Sequence, residues 1–276
     1  MNQQEKASAK APTSADNTVY HLRLKEGDVP GYLLLPGAPE RTMVIAENWQ
    51  DVCEKASYRE YKTVTGSYKG MPQAATSTGI GGASSEICLH ELHTLGVHTC
   101  IRVGTTGSLV PQFDLGDLII PVACVRKDGA SDSYIEPAFP AFANTYVVMA
   151  LIQACENLGF KYGLGLSYTV GSFYIGQGRP LYEDREAYWP SFAEKIIPDL
   201  QTAGVTNIEM ETSAQYVIGY LHQMRMGAVL SVMANRALDR WGDNGGEKKA
   251  CLAACEAMKI LAKWDQEKKC ELSSRL

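Results

Sequence analysis

No apolar run in this 276-residue chain reaches the ~18 residues of a membrane-spanning helix, so no span is expected. No C-x-x-C pair joins any of the eight cysteines, and nothing resembles a secretory signal. Cys53, Cys88, Cys100, Cys124, Cys155, Cys251, Cys255 and Cys270 are scattered, mostly in apolar runs, which predicts buried free thiols in a reducing compartment and not a disulfide framework. Positive charge is also short. The 26 Lys and Arg against 31 Asp and Glu leave a formal charge of −5, which argues against bulk binding of nucleic acid. Any anion must therefore be gripped by locally placed arginines. His90-Glu91-Leu92-His93 spaces its histidines three apart, not the four of H-E-x-x-H, so they read as surface polar residues and not metal ligands. The dinucleotide fingerprint fails as well: in Thr78-Gly79-Ile80-Gly81-Gly82-Ala83-Ser84 the third glycine position is Ser84. Those glycines instead predict a tight turn into a helix from Ser84 to Leu95.

What is present is an α/β pattern in a chain of ordinary composition, 45% hydrophobic and 21% charged. Residues 1–17 read as a flexible tail, 18–266 as one folded domain, and 267–276 as a polar tail, the polarity beginning at Asp265. Strands are predicted at Tyr32–Leu35, Ala74–Ser77, Leu118–Val122, Leu164–Val170 and Val229–Ala234. Helices are predicted from Pro39 to about Asn48, from Thr145 to Leu158 with Gly159 as cap, and from about Glu247 to Trp264. In the last, Cys251, Ala254, Cys255, Met258 and Leu261 share the inner face. Arg126 to Ser131 reads as a polar loop, and Leu238 to Glu247, with Trp241 and Asn244-Gly245-Gly246, suits a mobile lid.

The chain turns on Thr99 to Leu109. Arg102 stands among Cys100, Ile101 and Val103, and the apolar run then breaks into Gly104-Thr105-Thr106-Gly107, read as a loop after the strand. A buried guanidinium needs an anion or dense acceptors. Either a phosphate-sized ligand or a nearby carboxylate satisfies it. Arg41, in the first turn of a helix, fits a bound anion or a solvated surface residue, and Arg59 is equally ambiguous. Gln177 and Arg179 alternate on a loop of small residues beside Phe173, a pairing suited to a planar heterocycle with carbonyl and imide groups, or simply to solvent. Glu209 and Glu211 enter a helix whose stripe is read as Met210, Ala214, Val217, Ile218 and Leu221. One carboxylate complements the helix dipole, while the second is able to accept from two hydroxyls of a polyol. His21, alone beside apolar neighbours, reads as structural.

In order, Pro36-Gly37-x-Pro39-x-Arg41, Arg59 in Tyr-Arg-Glu, Ser77 to Gly82, Arg102 to Gly107, Gly116-Asp117, Asp128 to Ser131, Phe173-Tyr174-x-Gly176-Gln177-x-Arg179, Glu209-Met210-Glu211 and Asn235-Arg236 are similar to the nucleoside phosphorylase family, and most closely to its uridine-cleaving branch. The match runs from about His21 to the final helix. The resemblance implies a three-layer α/β/α sandwich around a central mixed, partly barrel-like β-sheet, assembled at least as a homodimer. It implies reversible phosphorolysis of uridine, and of 2′-deoxyuridine, to uracil and the pentose 1-phosphate. Phosphate is then held by Gly37, Arg41, Arg102 and Thr105, with Arg59 supplied by the partner subunit. Phe173, Gln177 and Arg179 take the uracil. Thr105, Met210 and Glu211 take the ribose, with His21 from the partner subunit. Arg179, Gln177 and Arg102 carry the catalytic load. No cofactor is implied beyond the phosphate co-substrate, no metal is assigned, and a monovalent or divalent cation at the subunit boundary is compatible with the pattern.

Four residues depart from that pattern. Ala38 replaces an acid, Gly178 a larger residue, and Met233-Ala234 a branched aliphatic pair, which leaves the 5-substituent and 2′-deoxy preferences open. A purine-specific phosphorylase or nucleosidase of the same fold is the alternative, but Ser231-Val232-Met233-Ala234-Asn235 has no acid to protonate a purine. A non-catalytic nucleoside-binding relative is the other. The expected location is the cytoplasm, or a peroxisome-type microbody addressed by Ser274-Arg275-Leu276.

Overall fold

The computed structural model describes residues 12–14, 16–180 and 188–267. The C-terminal tripeptide and Cys270 lie outside the described residues.

Leu33, Leu34 and Leu35 in β1 (Tyr32–Pro36) are all fully buried, although successive strand residues face opposite ways. Both sides of the sheet are therefore covered. Leu34 joins one apolar cluster with Val64, Ile101, Val147, Leu151, Cys255 and Met258, while Leu33 and Leu35 join a second with Cys88, Leu92, Cys100, Val217 and Ile218. The covering helices on the first side are α1 (Arg41–Ala46), α3 (Thr145–Leu158) and α6 (Gly246–Gln266), and on the second α2 (Gly82–Thr94) and α5 (Thr212–Leu221); α4 (Ala193–Thr202) packs near a smaller cluster around Ile208.

The other strands are β2 (Gln50–Tyr58), β3 (Tyr61–Tyr68), β4 (Met71–Thr76), β5 (Thr99–Ser108), β6 (Leu118–Lys127), β7 (Ala141–Phe142), β8 (Tyr162–Val170), β9 (Asn207–Glu209), β10 (Arg225–Asn235) and β11 (Arg240–Trp241). They form one mixed sheet in the order β11-β10-β6-β8-β9-β5-β1-β4-β3-β2, with β7 on β6. A further pairing of β10 with β5 closes the five strands β5, β10, β6, β8 and β9 into a barrel. This is the α/β/α sandwich with a partly barrel-like centre that the family resemblance implies.

Local signals explain the clearest elements. Asn144 caps α3 by accepting from Tyr146 N at 3.1 Å and Val147 N at 3.3 Å, and Gly159 ends the helix at φ +68°. The five inward residues expected of α6 are each at most 1% exposed. Elsewhere the structure differs from the sequence reading. Gly104 to Gly107 is not a loop, because β5 continues through it to Ser108. Gly104 is needed there: a Cβ would meet the Arg102 guanidinium and Leu230 at 2.8 Å. Arg126 is not in a polar loop but near the end of β6, 9% exposed, donating to the carbonyls of Glu136 and Phe139 at 2.7 Å and of Ile135 at 3.1 Å. Asp265 does not begin a tail; it lies in α6 and binds Arg225 Nη2 at 2.6 Å and Tyr32 Oη at 2.5 Å. The expected lid includes β11, whose Trp241 pairs with Ala234. Met210 precedes α5 and faces the site, and Leu221 is 38% exposed, so neither belongs to the buried stripe. Thr13 bridges to Val19, so ordered pairing starts inside the segment read as a tail.

Candidate functional site

A cavity of about 670 Å³ opens where the loops after β1, β4, β8 and β9 meet the barrel strands β5 and β10. That volume suits a small organic ligand. Its wall contains Gly37, Arg41, Arg102, Thr105, Phe173, Gln177, Arg179, Met210 and Glu211, which the sequence scatters over 175 positions. His21 and Arg59 are not on this wall. Arg59 turns the β2–β3 hairpin at φ +56°, with its guanidinium 5.4 Å from the Tyr58 ring centre.

At one end, Arg102 is 3% exposed and faces two acids. Its Nη2 lies 3.1 Å from Glu209 Oε2 and 2.5 Å from Glu211 Oε2, and its Nε donates to Glu209 at 3.2 Å. Arg102 Nη1 is buried without a partner among the described residues. A desolvated guanidinium N–H on a cavity wall is a place for an anion. The two readings of Arg102 thus combine, because carboxylates hold it on one side and leave a donor over. Arg41 is neither solvated nor alone. Glu247, in the first turn of α6, takes its Nε and its Nη2 at 2.8 Å each. Thr105 and Thr106 both line the cavity, but the Thr106 hydroxyl is already committed, donating to Ile208 O at 2.8 Å.

The two acids divide their work as local geometry dictates. Glu209 accepts from Glu211 N at 2.9 Å, from Thr212 N at 2.9 Å and from the Thr169 hydroxyl, so it occupies the N-terminus of α5 and its oxygens are filled. Among the described residues, Glu211 accepts only Gly81 N, at 2.6 Å, and Arg102. Burial raises its carboxyl above the ordinary range, the neighbouring Glu209 adds to the rise, and Arg102, the Gly81 N–H and Arg41 oppose it. Glu211 is therefore the acid able to grip a polyol.

At the other end, Arg179 Nη1 bonds the Gln177 side-chain oxygen and donates to Phe173 O at 3.0 Å, with its guanidinium 4.1 Å from the Phe173 ring centre. An amide, a guanidinium and an aromatic face meet here. Burial and the like charge of Arg236 bring the Arg179 guanidinium down to about 10. Arg236 is a strut that the sequence reading named only as part of a motif: it donates to Gln177 O at 3.0 Å and Gly178 O at 3.4 Å. Asn235, beside it, is wholly engaged, giving Nδ2 to Val110 O and Phe113 O and taking Ala237 N and Leu238 N on Oδ1. Trp241, 67% exposed and read from the sequence as part of a lid, lines the cavity, as do Glu40 and Glu60, which were not foreseen as wall residues. Nothing in the sequence marked Glu40 or Glu60 as facing the cavity. Among the described residues no group of three or more His, Cys, Asp and Glu is placed to hold a metal ion.

The Phosphorylase superfamily model matches residues 32–262, from β1 through most of α6. The chain is 47% identical to the uridine phosphorylase of Thermococcus kodakarensis over 95% of its own length and 93% of the relative's. It is 34% identical to the uridine phosphorylase of Escherichia coli, covering 79% of this chain and 86% of that one. The guanosine phosphorylase of Halorubrum lacusprofundi is 30% identical, over 78% and 83%. With a family model spanning residues 32–262 and a relative 47% identical over 95% of this sequence, the chain belongs to the phosphorylase superfamily.

Proposed function

We propose that this protein is a uridine phosphorylase, a pentosyltransferase that converts uridine and phosphate reversibly to uracil and ribose 1-phosphate, and that it also accepts 2′-deoxyuridine. The observation that carries the reading is the set of groups gathered in the cavity. Arg41, Arg102 and Thr105 for an anion, Gln177 and Arg179 beside Phe173 for the edge of a heterocycle, and Glu211 for the sugar all line one cavity.

In this reading Gly37, Arg41, Arg102 and Thr105 hold phosphate against the sugar, and Thr105, Met210 and Glu211 hold the ribose. Uracil lies by Phe173 with its polar edge on Gln177 and Arg179, which requires Arg179 to leave the Phe173 face. The N1–C1′ bond breaks with its electron pair going to uracil, and a phosphate oxygen forms the new bond to C1′. Negative charge grows on the base while the sugar becomes cationic. Arg179 and Gln177 meet the first charge with fixed donors, and phosphate meets the second. The departing base takes up the proton that hydrogen phosphate loses on forming the ester, and no covalent enzyme intermediate is needed.

A purine reading would need an acid near the end of β10. Asn235 stands there, and its amide is already fully engaged with Val110, Phe113, Ala237 and Leu238. The smallest complete site in this reading is a homodimer, because His21 and Arg59 are assigned to the partner's cavity and neither lines its own. Phosphate is the co-substrate, no cofactor takes part, and a cation at the subunit boundary is accommodated but not required. The reaction is placed in the cytosol; fusing residues 265–276 to a reporter in the source cell tests the microbody alternative.

Release of free base from uridine, 2′-deoxyuridine, thymidine, inosine and guanosine tests the substrate assignment. Uridine is expected to lead, and guanosine or inosine leading would refute it.

A further inference from the structure

His21 is held by a carboxylate from another element. Glu91 lies on α2, in the His-Glu-Leu-His stretch, and is 8% exposed. Its Oε1 lies 2.7 Å from His21 Nδ1 and accepts His21 N at 3.0 Å, while Oε2 accepts Leu22 N at 2.8 Å and His21 N at 3.1 Å. Three donors of a two-residue segment converge on one carboxylate. An imidazole nitrogen facing an ionised carboxylate acts as the donor, so the proton sits on Nδ1 and Nε2 is the atom turned outward. Tyr20 and Tyr61 meet the ring edge-on, at 4.8 Å and 6.3 Å between centres. Both rotation and tautomer of the ring are thereby set in advance. The histidines of the same stretch do something else, for His93 stacks on His222 at 4.6 Å and His90 lies 5.4 Å from it.

We propose that Glu91 is a positioning residue for sugar recognition, orienting His21 so that its Nε2 takes the nucleoside 5′-hydroxyl in the partner subunit's cavity. The proposal rests on the reading of His21 as a ribose contact given to a second copy. The 5′ position is part of the proposal, and it is the position at which the kinetic test is aimed. Glu211 offers a two-oxygen carboxylate, which matches the cis pair of 2′- and 3′-hydroxyls, and the hydroxyl left over is the 5′.

The test is kinetic and uses 5′-deoxyuridine, which lacks that hydroxyl, beside uridine. Glu91→Gln keeps the shape but turns one acceptor into a donor, so His21 Nδ1, His21 N and Leu22 N must share a single oxygen and the ring loses its fixed orientation. The segment should remain folded, because Val19, Leu22 and Leu24 are at most 5% exposed in the core; thermal unfolding of each variant checks this. Glu91→Gln should lower kcat/KM for uridine about three- to tenfold, the scale of one hydrogen bond, and leave 5′-deoxyuridine unchanged. His21→Ala should erase the preference for uridine, and the double variant should be no worse than His21→Ala. Equal losses on both substrates in Glu91→Gln would overturn the proposal, leaving Glu91 a mere anchor. If His21→Ala erases the preference but Glu91→Gln keeps it, the proposal fails and the reading of His21 stands. If His21→Ala keeps the preference, both fail.

Discussion

Arg102 and Glu211 are one another's partners inside the cavity, with Nη2 2.5 Å from Oε2. The side chain assigned to phosphate is therefore held by the one assigned to the sugar. Removing it does two things at once. Arg102→Ala leaves Glu209 and Glu211 buried without their cation, and breaking a buried pair typically costs about 3–5 kcal/mol. Arg102→Lys keeps the charge but not the fork that reaches both acids and the anion. The expected outcome is a clear stability loss for Ala in denaturant unfolding, a smaller one for Lys, and a steeply raised phosphate KM in both. A normal phosphate KM in the Lys variant would mean that Arg102 serves only the two acids.

Glu211 sets an acid limb. Ionised, it accepts from two sugar hydroxyls with charge-assisted bonds, a capacity that protonation weakens, and burial raises its carboxyl above the usual range. Uridine KM should accordingly rise as pH falls through that raised value, at a higher pH than an ordinary carboxylate would give. Stability runs the other way. The folded state holds this proton more tightly than the unfolded one, so this group stabilises the free protein as pH falls through the raised value and withdraws that contribution as pH rises. Glu211→Gln should flatten the limb in KM and raise KM at neutral pH, as read from pH profiles of both proteins.

Arg179→Ala should lower kcat/KM for uridine by roughly 10²–10³, the typical loss of one preorganised donor at a developing charge. In the parent, turnover should decline as pH rises through about 10, where burial and Arg236 have brought this guanidinium. An unchanged rate in the Ala variant would refute the base-recognition assignment.

Arg236→Ala should act on the same end without touching the acids. It removes the donors clamped on Gln177 O and Gly178 O and also the like charge beside Arg179. The expected result is a uridine KM raised about three- to tenfold, the scale of one or two hydrogen bonds. The alkaline limb should move to higher pH.

The α3 and α6 helices were legible in the sequence because their signals are local: Asn144 and Gly159 bracket one, and a single apolar stripe defines the other. Arg102 was legible as an anomaly, a charge in an apolar run. What answers it was not, since Glu209 and Glu211 lie more than 100 positions away and reach it only once β9 pairs with β5. A separation of 206 positions hides Glu247 from Arg41, and one of 40 hides Asp265 from Arg225, two charges whose neighbours suggest a helix start and a solvated tail. Gly104 misled because two close glycines read as a loop, although here the missing side chain makes room for a guanidinium within a strand. Pairing partners and sheet closure, and not propensity, decide these cases.

The most direct measurement of the central claim is product stoichiometry with and without phosphate. Uridine is incubated with the full-length protein, uracil is quantified by chromatography, and ribose 1-phosphate is followed by ³¹P NMR. Equal amounts of the two products, with uracil release absent when phosphate is omitted, are expected. Uracil released at the same rate without phosphate, and no sugar phosphate formed, would contradict the account.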